Sequence, residues 1–169
     1  NVFGAMNVIR AFLPEMIAAR AGRIVTIGSV TGRLAPPFMG VYAASKHAVE
    51  GFSDALRREV APFGVKVSVV RPGFVRTEFG DQEQAELSRY TDQAPYAERL
   101  KTFAAWHKAK GHDVSPGPEI VAQAVYHALT HARPKTRYQM PFNAKFNIFA
   151  RSFLPVSIVD RMIAKVTGT

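Results

Sequence analysis

The stretch that decides the fold runs from Arg23 to Gly73 and reads "RIVTIGSVTGRLAPPFMGVYAASKHAVEGFSDALRREVAPFGVKVSVVRPG". It begins and ends with short, β-branched apolar runs of the kind that form buried parallel strands. Between them, a loop rich in glycine and proline leads into a long amphipathic helix. Strand, helix and strand in this order predict a parallel sheet that is covered by helices.

Both flanks continue this alternation of helices and strands. Residues 1–20 carry apolar side chains on one side, which predicts a helix that ends near Gly22. On the other side, "GPEIVAQAVYHALTHA" (117–132) predicts an amphipathic helix, and "TRYQMP" (136–141) predicts a brief strand. The sequence therefore predicts one α/β domain, residues 1–169, with about three parallel strands.

Two segments fall outside the alternation. Residues 78–117 are mostly polar and helical in pattern, which is long for a simple connection and predicts a substrate loop or lid. Its aromatic residues Tyr96, Phe103 and Trp106 suit either an apolar substrate pocket or the core of the lid. The tail, residues 143–166, mixes apolar and basic residues and predicts a helical cap. Packing on the same protein is the default, with a membrane surface as the alternative.

Composition excludes several classes of protein. With 169 residues, 47% of them hydrophobic and 21% charged, the chain matches an ordinary globular domain. No cysteine is present, which excludes disulfides and cysteine metal sites and fits a reducing compartment, so we expect a cytoplasmic protein. No apolar run approaches the roughly 18 residues of a membrane span. The net charge of +9 comes from scattered basic residues, so we expect no nucleic-acid partner.

Three reactive side chains suggest a catalytic site. Tyr42 and Lys46 are four residues apart in a predicted helix and therefore share one face. A phenol has a pKa near about 10 and is a poor base unless a nearby charge, such as an ammonium, stabilises its anion. Ser29 follows a predicted strand, where open α/β sheets place their chemistry, and its hydroxyl can bind a substrate oxygen. Taken alone, the tyrosine and lysine equally fit a packed ring and a solvated ammonium.

The surrounding motifs resemble those of the short-chain dehydrogenase/reductase family. "YAASK" (42–46) matches the family's Y-x-x-x-K, and Ser29 precedes it at the family's separation. "RPGFVRTEF" (71–79) matches the P-G-x-V-x-T segment, and "NVFG" (1–4) matches the N-x-x-G at the start of the preceding helix. The resemblance covers nearly the whole chain and is strongest over residues 1–80.

This resemblance implies a fold and a function. The fold is a Rossmann-type, doubly wound parallel sheet, of which the chain holds the C-terminal part. The function is that of an oxidoreductase that uses NAD or NADP to interconvert an alcohol and a ketone or aldehyde. The closest branch acts on steroids, retinoids and other lipophilic alcohols, so the implied partner is a small lipophilic hydroxy or oxo compound. A homodimer or homotetramer on the helices at 1–20 and 42–63 is also implied.

The resemblance also assigns roles to individual residues. Tyr42 matches the general acid/base, and Ser29 matches the residue that positions the substrate oxygen. Lys46 is implied to lower the pKa of Tyr42 and to hold the nicotinamide ribose, while Asn1 matches an asparagine that binds a water linking Lys46 to solvent. The segment against the nicotinamide carboxamide is matched by Pro72, Gly73, Val75 and Thr77.

The sequence departs from the family in one respect. No glycine-rich phosphate loop occurs in it, and in the family that loop, the N-N-A-G segment and the first four strands precede the position of Asn1. We therefore expect a partial sequence or a processed product, which by itself binds a dinucleotide weakly and lacks activity. The choice between NAD and NADP belongs to the missing part.

Two other functions and one other kind of site also fit parts of the sequence. A nucleotide-binding or scaffolding protein without activity, and a basic membrane-surface binder, both remain as alternatives. His127 and His131 are four apart on a predicted helix, but no third ligand accompanies them, so we predict exposed or packed histidines and no metal site.

Overall fold

The protein contains one parallel sheet of three strands in the order β1, β2, β3. The computed structural model describes residues 1–92, 94–111, 114–140 and 153–168. The strands are β1 (Gly22–Ile27), β2 (Val65–Pro72) and β3 (Arg137–Met140). All three strands predicted from the sequence are confirmed.

The predicted helices are confirmed as well. Residues 78–117 contain two of them and no strand among the residues described there. The first part of the predicted cap, residues 143–152, lies outside the described residues, and the remainder contains a helix. The helices are α1 (Phe3–Ala18), α2 (Gly40–Val60), α3 (Glu78–Ser88), α4 (Ala97–Gly111), α5 (Glu119–Thr130) and α6 (Val156–Thr167), with 3₁₀ turns at Val30–Gly32 and Ala61–Phe63.

Strand β2 is the centre of the core. Helices α1 and α2 pack on one face of the sheet, around Ile24, Leu56 and Val67, and α5 packs on the other face, around Val70 and Ala128. Because both faces are covered, β2 is buried almost throughout instead of alternating between buried and exposed residues.

Apolar surface remains uncovered on the side of β1. In the described part of the chain, β1 pairs only with β2, and Ile27 at its end is exposed. Helix α1 has no buried residue, and its Phe3 and Phe12 are 79% and 57% exposed. Exposed apolar patches of this kind are typical of surfaces that another chain segment or a partner covers. Among the described helices, none is long and apolar enough to cross a membrane.

The ends of β1 and β2 bring the predicted site together. The N–H of Gly28 donates to the carbonyl of Val70 at 2.8 Å, which extends the pairing to the residue before Ser29. The following turn lies against α2. The approach is so close that a Cβ atom at Gly32 would come within 2.9 Å of the Lys46 carbonyl oxygen. Ser29 is thereby held beside the first turns of α2.

Candidate active site

Ser29, Tyr42 and Lys46 meet at the carboxyl end of the sheet. The Ser29 hydroxyl faces the Tyr42 phenol closely enough to lower the pKa of that phenol. Ser29 is buried, and its Oγ accepts the N–H of Thr31 at 3.1 Å. The same hydroxyl lies 3.5 Å from the carbonyl oxygen of Pro72, at the limit of a hydrogen bond. The structure thus brings together the three side chains that the sequence singled out.

Lys46 is anchored to the sheet. Its Nζ donates to the carbonyl oxygen of Ile27 at 3.0 Å and lies 5.7 Å from the centre of the Tyr42 ring. Burial lowers the pKa of Lys46. The ammonium is therefore held beside the phenol by the last residue of β1.

The pKa of Tyr42 departs from expectation. Burial raises the pKa of Tyr42, the hydrogen bond with Ser29 lowers it in part, and the negative charge of Glu83 raises it further. We expected Lys46 to lower this pKa, whereas the net direction in the structure is upward. The physical reason is that burial disfavours the phenolate, while the Lys46 ammonium donates to the carbonyl of Ile27.

Asn1 also reaches the site, although indirectly. Its Nδ2 donates to Oγ of Ser45 at 3.1 Å, and this hydroxyl donates to the carbonyl of Tyr42 at 2.8 Å. Asn1 thus contacts the turn between Tyr42 and Lys46 instead of Lys46 itself.

The segment after β2 connects the site to the rest of the molecule. The N–H of Gly73 donates to the carbonyl of Met140 at 2.7 Å, which places Pro72 and Gly73 at the end of β3 as well. Val75 is half-buried and Thr77 is exposed. Thr77 stands at the N-cap of α3, but its hydroxyl makes no capping bond, although threonine is a preferred capping residue there. That hydroxyl is therefore available to a ligand.

Comparison with known proteins identifies the family. Residues 1–88 match the family model described as short chain dehydrogenase. The chain belongs to this family. It is 38% identical to mouse 17-beta-hydroxysteroid dehydrogenase type 6, over 99% of this chain and 55% of the relative. It is 37% identical to human retinol dehydrogenase 5, over 98% of this chain and 55% of the relative.

A solved structure supports the same assignment. A short chain dehydrogenase/reductase from Burkholderia phymatum, crystallised in complex with NAD, matches with a TM-score of 0.71 at 26% identity, over 90% of this chain and 54% of that chain. The predicted family and the predicted Rossmann-type fold, present in part, are confirmed. The chain spans about half the length of the relatives that it matches.

Three residues around the site of this short-chain dehydrogenase were not predicted from the sequence. Phe79 on α3 lies with its ring centre 6.0 Å from that of Tyr42. Glu83, one turn further along α3, acts on the Tyr42 phenol through its charge. His107 on α4 places its Nε2 3.3 Å from Oε2 of Glu83. In the sequence, these residues are marked only by their positions after the P-G-x-V-x-T segment. Those positions do not reveal which face of each helix points inward.

An aromatic cluster fills the space between α4 and the loops around it. Phe103 is fully buried, with ring centres of Phe38 and Trp106 at 5.5 and 5.6 Å. Phe74, from the segment after β2, lies 5.7 Å from Trp106. Phe103 is therefore a core residue of this segment, whereas Tyr96 is exposed, and the prediction that the segment forms a lid stays a prediction.

His127 in the last turn of α5 and His131 just after the helix are packed against their neighbours. Nδ1 of His127 is hydrogen-bonded to the hydroxyl of Tyr138 at 2.8 Å, and the rings of His127 and His131 are stacked with centres 4.4 Å apart. Nδ1 of His131 lies 3.0 Å from the carbonyl oxygen of Arg133. Within the described ranges, no group of three residues with metal-binding side chains occurs.

Proposed function

We propose that the whole protein is an NAD(P)-dependent oxidoreductase that interconverts a lipophilic alcohol and its ketone or aldehyde. The observation that carries this proposal is the convergence of three groups, with the Lys46 ammonium 5.7 Å from the Tyr42 ring centre and the buried Ser29 hydroxyl facing the phenol. A phenol, a hydroxyl and an ammonium at one end of a parallel sheet can bind a substrate oxygen and exchange a proton with it.

The residues at this end of the sheet fit the nicotinamide part of such a cofactor. Lys46 is a cationic donor suited to ribose hydroxyls, and the uncapped hydroxyl of Thr77 is suited to a carboxamide. Pro72, Gly73 and Val75 form the half-buried segment between these two groups. When bound, the nicotinamide supplies or accepts the hydride.

The chain's own residues handle the substrate oxygen and the proton. Tyr42 donates its phenolic proton to the oxygen during carbonyl reduction and accepts one during alcohol oxidation. Ser29 bonds the same oxygen and keeps it within reach of Tyr42. Lys46 stabilises the phenolate that forms as the proton leaves. The three groups thus allow the substrate oxygen to change between carbonyl and alcohol. Each charge that forms during this change is stabilised by a neighbouring group.

Two observations support a lipophilic substrate. Phe79 lies against Tyr42, so the surface beside the phenol is aromatic on the side of α3. Two relatives are named for hydroxysteroids and for retinol, both of them lipophilic alcohols. An apolar surface with a few polar groups is typical of sites that bind such compounds.

Turnover of a substrate panel tests this function. The whole protein is mixed with NAD⁺ or NADP⁺ and hydroxysteroids, retinols or short-chain alcohols, and the reduced nicotinamide is followed by its absorbance. We expect oxidation of at least one lipophilic alcohol, and a loss of about 10²- to 10³-fold in kcat/KM for Ser29→Ala. The control is Ser88→Ala, which removes an exposed hydroxyl from α3. Dinucleotide binding without turnover of any compound would instead support the inactive nucleotide-binding alternative.

We also propose that the whole protein is a dimer or tetramer that associates through α1 and α2. The exposed apolar side chains of α1, Phe3 and Phe12 among them, support this. Light scattering is expected to give a multiple of the monomer mass, and Phe12→Lys is expected to reduce it. Val114→Lys, at an exposed residue outside both helices, serves as the control. A monomeric wild-type protein would refute the proposal.

A further inference from the structure

The lid brings a carboxylate to the catalytic tyrosine. The rings of Phe79 and Tyr42 are in contact, and Glu83 follows Phe79 by one turn on the same face of α3. The side chain of Glu83 is largely buried, and its charge acts on the phenol of Tyr42. No step of the reaction described above requires a carboxylate at this place.

The position of Glu83 is fixed by His107. Nε2 of His107 lies 3.3 Å from Oε2 of Glu83, and the imidazole is buried between the rings of Phe74 and Phe103, at 5.0 and 5.9 Å. Burial raises the pKa of Glu83 and lowers the pKa of His107. Because both shifts favour neutral groups, we interpret the contact as a hydrogen bond to a neutral imidazole and not as a strong ion pair.

We propose that Glu83 is a positioning residue of the active site, whose carboxylate, held by His107, opposes ionisation of Tyr42 and keeps its phenol a proton donor. This inference rests on the proposed function, because it concerns the proton that Tyr42 exchanges with the substrate.

The charges around Tyr42 support the direction of the effect. Lys46 faces the phenol from α2, the hydroxyl of Ser29 from the end of β1, and Glu83 from α3, with His107 of α4 behind it. A carboxyl group titrates several pH units below a phenol, so Glu83 is ionised at the alkaline pH where Tyr42 titrates. His107 is neutral there and leaves the carboxylate charge uncompensated.

The consequence differs between the two directions of the reaction. In reduction, the O–H bond of Tyr42 breaks and its proton passes to the substrate oxygen, while the carbonyl carbon receives a hydride from the reduced nicotinamide. The phenolate then regains a proton from solvent, so the carbonyl compound, NAD(P)H and one proton yield the alcohol and NAD(P)⁺. Oxidation needs the phenolate instead. Glu83 therefore extends reduction to higher pH and confines oxidation to more alkaline solution.

Direct titration of Tyr42 tests the inference. The whole protein is labelled with tyrosine carrying ¹³C at the ζ carbon, and the Tyr42 resonance is identified by its loss in Tyr42→Phe. In the wild type, we expect Tyr42 to titrate at higher pH than a free phenol, whose pKa is about 10. Glu83→Gln, which removes the charge but keeps the shape, is expected to move the Tyr42 titration to lower pH. The pH at which alcohol oxidation rises to its full rate should move in the same direction.

Two variants separate charge from packing. Glu83→Asp keeps the charge and should titrate nearer to the wild type than Glu83→Gln does. Glu86→Gln removes a carboxylate from the same helix, but an exposed one paired with Arg89, and should leave Tyr42 unchanged.

Several outcomes would overturn the proposal. They are an unchanged Tyr42 titration in Glu83→Gln, equal titrations in Glu83→Asp and Glu83→Gln, or a wild-type Tyr42 that titrates below a free phenol. The last measurement needs no variant, so it can overturn the proposal even where a substitution prevents folding. The titration needs no substrate, so its outcome is independent of the proposed function. Absence of turnover refutes the function, whereas an unshifted Tyr42 phenol refutes the role of Glu83.

Discussion

Tyr42→Phe is expected to lower kcat of the whole protein about 10²- to 10⁴-fold, the range for losing a general acid/base. The substitution removes one oxygen and keeps the ring, so the contact with Phe79 and the half-buried position on α2 are retained. Lys46 keeps its bond to the carbonyl of Ile27, and we therefore expect dinucleotide binding to persist. Steady-state kinetics and a dinucleotide titration on the same preparation measure both effects.

The matched control is Tyr126→Phe, which removes a phenolic oxygen from α5 at a residue that is 70% exposed. It should leave kcat unchanged. If Tyr42→Phe loses no more activity than this control while the wild type is active, Tyr42 is not the proton donor, and the assignment of the site is wrong.

Glu50→Gln is expected to reduce the free energy of unfolding by about 3–5 kcal/mol, the usual loss when one partner of a buried ion pair is removed. Glu50 lies one turn after Lys46 on α2 and receives two bonds from Arg71 of β2, Nε to Oε1 at 2.6 Å and Nη2 to Oε2 at 2.5 Å. The two side chains are only 6% and 7% exposed. Without the carboxylate, the Arg71 guanidinium stays buried and uncompensated.

Denaturant unfolding of the whole protein measures this loss. Glu98→Gln is the control, since Glu98 is 88% exposed and forms an exposed pair with Lys101. Such pairs contribute about 0–1 kcal/mol. A similar loss in both variants would show that the bidentate pair between α2 and β2 does not stabilise the fold beyond an ordinary surface contact.

The secondary structure and the three candidate side chains could be predicted because their signals are local in the sequence. Helix and strand periodicities depend on neighbouring residues, and helices and three strands were found where those periodicities are clear. Tyr42 and Lys46 are one turn apart whatever surrounds them, so their common face needed no tertiary information. Ser29 was recognised through its separation from Tyr42 in a known family pattern.

The contacts around the site could not be predicted from local sequence signals. Glu83 and His107 are on two different helices, and their contact depends on how α3 and α4 pack. The pairing of Glu50 with Arg71 likewise joins a helix to a strand across the sheet. In the sequence, each of these residues resembles an ordinary surface charge, because burial is a property of the packed structure.

The sequence by itself determined the family and the parallel α/β architecture and singled out the three candidate catalytic side chains, since all of these are carried by local periodicity and by motif spacing. Only the tertiary structure decided the electrostatic state of the site. Burial and the charge of Glu83 raise the pKa of Tyr42, opposite to the direction that the Tyr42–Lys46 spacing suggested. The physical reason is that the free energy of an ionised phenol depends on solvent exclusion and on charges from several distant segments, which meet only when the chain is folded.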